Sequence, residues 1–104
     1  MPKHDFSALY AQYPAVIAEM PETFDSHQFI LALAKQNQVE YIQALYAYRD
    51  TLHVDKPAPF QFVHGRLAIM LKQFPELVEL VKDDKPSPDI FGLPGECAEW
   101  RKVK

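Results

Sequence analysis

The chain has one cysteine, one tryptophan and three glycines in its 104 residues. A single thiol, Cys97, cannot close an internal disulfide, and it fits a reducing compartment such as the cytoplasm. Glycines at positions 65, 92 and 95 alone leave no glycine-rich loop to cradle a phosphate. No apolar run approaches the ~20 residues of a membrane-spanning helix. The start, Met1-Pro2-Lys3-His4-Asp5, has no apolar signal core behind it. His4, His27, His53 and His64 are scattered, and no pair has the spacing that puts two ligands on one metal. Cys97 lies between Glu96 and Glu99, whose charges disfavour a reactive thiolate. No metal, cofactor or enzymatic activity is therefore expected.

Positive charge is also in short supply. Eleven basic residues face fourteen acidic ones, a net charge of −3, which argues against bulk nucleic-acid packaging. What the chain does have is apolar content. At 48% hydrophobic and 12% aromatic it can fill one core, and its length suits a single domain spanning 1–104.

Phe6, Leu9, Tyr10, Tyr13, Val16, Ile17 and Met20 recur near the helical period, but Pro14 interrupts them. Proline lacks an N–H and clashes with the preceding turn, so two short helices, Ser7–Tyr13 and Pro14–Met20, are expected. After the break at Pro21-Glu22-Thr23, Asp25 can cap a helix with Gln28 as its reciprocal partner. Phe24 and Phe29 have the spacing of a hydrophobic staple across that cap. A polar stretch, Lys35-Gln36-Asn37-Gln38, separates this helix from another. The second runs through Val39, Ile42, Leu45 and Tyr46 as its apolar face, widened by Tyr41 and Tyr48. A loop is expected over Thr51–Ala58.

Pro59 suits the first turn of a further helix, 59–74, with Phe60, Val63, Leu67, Met70 and Phe74 as its buried stripe. Two short apolar segments follow. Leu77–Val81 and Cys97–Val103 read as a hairpin, the second as its edge strand, with Asp83–Gly95 as the loop between them. Within that loop Phe91 should fold back on the helices and Gly92 should supply a positive-φ turn. The expected fold is mostly α with a small C-terminal β-hairpin; if 77–81 were helical, an all-α bundle would result.

The run Pro59-Phe60-Gln61-Phe62-Val63-His64-Gly65-Arg66-Leu67-Ala68, followed by two apolar segments, resembles the end of a winged helix-turn-helix domain. The resemblance covers 24–104 and leaves 1–23 as an N-terminal helical extension. It implies that helix 59–74 enters the major groove of double-stranded DNA while the hairpin touches the backbone. The residues agree in part, because no acid occurs between Lys56 and Gln73. Gln61, His64, Arg66 and Lys72, with Arg101 and Lys102 from the last strand, are the candidate DNA contacts. That makes a DNA-binding or nucleoprotein accessory domain, with a regulatory role, the leading expectation.

Asp83, Asp84 and Asp89 would repel phosphate if their loop were a wing, and winged helices also serve as protein-interaction modules. The alternative is such a module, pairing with a protein partner or a second copy. It would use the tyrosine-rich helix 39–49 and the apolar loop 89–94, with Tyr41, Tyr48, Phe62 and Phe91 as contacts.

Overall fold

The structure, a computed structural model, describes residues 5–50 and 59–103. The loop expected over Thr51–Ala58 lies outside them. Pro14 has the anticipated effect: α1 (Ser7–Tyr10) ends, and α2 (Tyr13–Glu19) restarts with the proline in its first turn. A three-residue strand, β1 (Thr23–Asp25), then leads directly into α3 (Ser26–Gln36). α4 (Gln38–Ala47) follows after Asn37. α5 (Pro59–Met70) continues as a single 3-10 turn, Leu71–Gln73, and two strands close the chain, β2 (Val78–Pro86) and β3 (Glu96–Lys102).

The α3 start carries the capping box in full. The Asp25 carboxylate accepts from the Gln28 N–H at 2.8 Å, and Gln28 Oε1 accepts from the Asp25 N–H at 2.8 Å. Phe24 and Phe29 meet across the cap with ring centroids 6.3 Å apart. The buried Asp25 also accepts from the Ser87 hydroxyl at 3.0 Å and lies 3.6 Å from Lys85 Nζ, tying the helix start to β2 and the loop after it. Asp25→Ala therefore removes the cap and leaves Ser87 without its acceptor. A loss of about 2 kcal/mol is expected from the urea midpoint, with Asp25→Asn, which retains a capping oxygen, losing less.

The fold is mixed α+β, which corrects the expectation of a mostly α chain and rules out the all-α bundle. Among the described residues, five helices accompany a three-stranded antiparallel sheet in the order β1-β3-β2. Phe24 pairs with Trp100 on one side of β3, and Leu80 pairs with Trp100 on the other. β3 is thus the central strand and not the edge, because Thr23–Asp25 pairs along its free side. Three residues between a break and a helix carry no periodic signal of their own, and only the pairing makes them a strand. β2 also runs further than Val81, with register irregularities between Leu80 and Lys82 and between Lys82 and Lys85. These irregularities, with the charged residues and Pro86 on this edge strand, discourage further pairing.

One core joins all of these elements, the two N-terminal helices included. Phe6, Leu9, Tyr13, Val16 and Ile17 pack with Phe29, Ile30 and Leu33 of α3 and with Val63, Leu67 and Leu71 around α5. Tyr13 donates from its hydroxyl to the Leu67 carbonyl at 2.6 Å, satisfying a phenol that burial pushes far above its ordinary pKa. From β3, the Trp100 indole N–H donates to the Ser26 hydroxyl at 2.9 Å. On α5 the expected stripe is buried at Val63 and Leu67, while Phe60, Met70 and Phe74 are half-buried and His64 and Leu71 complete the inner face.

Candidate functional site

The loop after β2 is built by its own backbone. Asp89 Oδ1 accepts from the N–H groups of Phe91 and Leu93, each at 2.9 Å, and Gly92 adopts φ 85°, where a side chain would be strained. The Ser87 N–H donates to the Gly95 carbonyl at 2.9 Å across the loop mouth. As expected, Phe91 folds back: its ring meets Phe60 edge-on at 4.9 Å and stacks on His64 at 5.9 Å.

His64 is only 7% exposed. Its Nε2 lies 2.5 Å from the Tyr41 hydroxyl, a buried polar pair that links α5 to α4. Burial disfavours the imidazolium and brings the ring down to about 4, with Asp89 opposing the shift and His27 adding to it. Burial, with a smaller contribution from Asp89, pushes Tyr41 up to about 12. Both side chains are therefore neutral at pH 7, and a single hydrogen bond joins them.

Between α3, α5, β3 and the loop lies an open cleft of ≈ 350 Å³. Ile30, Ala68, Ile69 and Trp100 supply apolar walls, and Gln61 of α5 and Lys72 of the 3-10 turn after it also line it. Cys97 also faces it. Burial raises the thiol pKa, the backbone N–H groups of His27 and Ser26 and the Ser87 hydroxyl act in the opposite sense, and Asp25 adds to the rise. Among the described residues, no group of three histidine, cysteine or acidic side chains is placed to hold a metal ion.

The six candidate DNA contacts do not come together. Gln61 on α5 and Lys72 on the 3-10 turn after it are exposed, but His64 points inward. Arg66 sits over the rings of Phe6 and Phe62, at 5.3 and 5.9 Å. Arg101 follows the buried Trp100, so it lies on the opposite face of the sheet, where it donates to the Glu79 carboxylate. Lys102 donates from Nζ to the carbonyls of Ala18 and Met20, at 3.1 and 2.9 Å.

The candidate interaction residues divide differently. Tyr41 and Tyr48 are buried, and Phe62 is half-buried against Tyr48 with centroids 4.7 Å apart. Phe91 alone of the four is exposed. Helix 39–49 does carry an apolar surface, but on its other side. Val39, Ile42 and Tyr46 are 63%, 60% and 63% exposed, while Tyr41, Ala44 and Tyr48 are buried. Gln38, Gln43 and Ala47 flank the exposed stripe, and the Arg49 guanidinium lies 3.9 Å above the Tyr46 ring at its end. The sequence contained both stripes at the same helical spacing, and reading Val39, Ile42 and Tyr46 as core hid their exposure.

Comparison with protein-family models, curated proteins and solved structures gives no match for this chain. No helix among the described residues is long and apolar enough to cross a membrane.

Proposed function

We propose that this chain is a protein-interaction module of winged-helix-like architecture that self-associates through α4. The observation that carries the reading is the exposed apolar stripe of α4, with Val39, Ile42 and Tyr46 at successive turns. Interface centres are depleted in charge and enriched in apolar and aromatic side chains. An exposed apolar stripe calls for an apolar partner surface, and a second copy of the same face meets that requirement in a two-fold arrangement. The winged-helix likeness is supported by a strand before α3, by α5 leading into the β2–β3 pair, and by the strand order β1-β3-β2.

Sedimentation velocity over micromolar to sub-millimolar protein tests the reading. The expected result is a dimer that Ile42→Asp converts to a monomer, with a melting temperature equal to that of the wild type at concentrations where the latter is monomeric, because the position is exposed in the single chain. A wild-type chain that stays monomeric throughout this range removes the proposal.

DNA binding remains the second reading. It is supported by the acid-free run from Lys56 to Gln73, in which Gln61 and Lys72 are exposed, and weakened by the engagement of Arg66, Arg101 and Lys102. Labelled duplex added to the same samples separates the two. Binding that survives Ile42→Asp, weakens steeply with salt and is lost in Arg66→Ala/Lys72→Ala would favour DNA.

A further inference from the structure

The cleft offers something that the α4 face does not provide, a concave apolar surface with one cation, Lys72, that has no ion-pair partner among the described residues. Its ≈ 350 Å³ falls within the roughly 300–1,000 Å³ typical of small-molecule sites. Its walls come from two helices and the central strand, and its loop side is held by the two Asp89 hydrogen bonds, so the shape exists before any ligand arrives. We infer that this cleft binds a small amphipathic monocarboxylate, with its anionic head at Lys72 and its apolar body against Ile30, Ala68 and Trp100.

Charge placement argues for the orientation. Arg49, Lys85 and Arg101 each have a carboxylate within ion-pair distance, whereas Lys72 has none among the described residues. From Pro59 through Gln73 no acid competes for it. The carboxylates that line the cleft, Asp89 and Glu96, belong to the loop and the start of β3. Asp89 acts electrostatically on His64, which places it toward that end of α5. His64 and Lys72 are eight residues apart, or about 12 Å along a helix. An anion at Lys72 therefore keeps its distance from Asp89. A second anion reaching the His64 end would meet that carboxylate beside a neutral imidazole, which is why a monocarboxylate fits better than a dicarboxylate.

Trp100 is the chain's only tryptophan and lines the cleft, so it reports occupancy directly. The test is energy transfer from Trp100 to two dyes, 1-anilinonaphthalene-8-sulfonate and the uncharged N-phenyl-1-naphthylamine. They share an aromatic body and differ in the anionic group. The wild-type chain should bind the anionic dye at least tenfold more tightly. Lys72→Ala, at an exposed position, should abolish that preference, and Ala68→Phe should fill the cleft and remove both signals. Ile42→Asp should change neither, which keeps this inference separate from the α4 reading. Equal affinity for the two dyes, no binding of either, or an anion preference that survives Lys72→Ala would overturn it. So would a signal that Ile42→Asp removes and Ala68→Phe retains, because the dye would then be reporting the α4 face. Should Ala68→Phe fail to fold, Lys72→Ala alone decides.

Discussion

Tyr48→Ala is expected to cost about 3–5 kcal/mol, the range for removing a large buried aromatic side chain. For a domain of this size that lowers the melting temperature by more than ~10 °C. The ring is 3% exposed and packs against Phe6 and Phe62, with centroids at 6.1 and 4.7 Å, so its loss opens a cavity where α1, α4 and α5 meet. Tyr46→Ala, two residues earlier, should change stability by no more than ~0.5 kcal/mol at concentrations where the chain is monomeric. Its ring faces solvent with the Arg49 guanidinium 3.9 Å above it. Thermal unfolding of the two variants side by side measures the rotation of α4. Similar losses for both would mean that the helix does not present Val39, Ile42 and Tyr46 to solvent, and the proposed interface would fall with that orientation.

This contrast also shows where the sequence is legible. Features decided within a few residues could be read directly. Pro14 divides the first helix because of its own ring, and Asp25 with Gln28 fixes the start of α3 through contacts three residues apart. α4 could not be oriented that way. Val39, Ile42 and Tyr46 repeat at the same spacing as Tyr41, Ala44 and Tyr48, so periodicity alone cannot choose the buried set. The choice is made from outside the helix, by Phe6 and by Phe62 and His64 of α5, which receive Tyr48 and Tyr41. β1 is the same problem in a shorter segment, since Thr23–Asp25 becomes a strand only when Glu99–Arg101 lies beside it. The cleft was the least legible feature of all. Its lining comes from α3, α5, β3 and the loop, and no one of these segments carries a pattern that announces it. Lys72 and Gln61 were recognisable as functional side chains, but the surface they share with Trp100 is a product of the tertiary fold.

The pair His64–Tyr41 should make stability depend on pH in a definite direction. In the unfolded chain His64 titrates near its ordinary 6.5, and in the folded chain near 4, so between these values the unfolded state holds the extra proton. Its contribution to stability is therefore complete above about pH 6.5 and is lost progressively as the pH falls toward 4. The full loss is on the order of 3 kcal/mol. His64→Gln keeps a hydrogen-bonding group facing Tyr41 but cannot titrate, so its stability should decline less steeply across this window. Urea unfolding of both proteins at intervals from pH 7.5 to 4.5 measures the difference, because the carboxylates titrate in each and cancel in the comparison. Parallel curves would mean that His64 is not held neutral by its surroundings. A steeper wild-type curve carries a structural consequence, since Phe91 stacks on this ring and Asp89 lies near it. Charging His64 draws it toward solvent and toward Asp89, so the loop that borders the cleft should be the first part of the fold to loosen in acid.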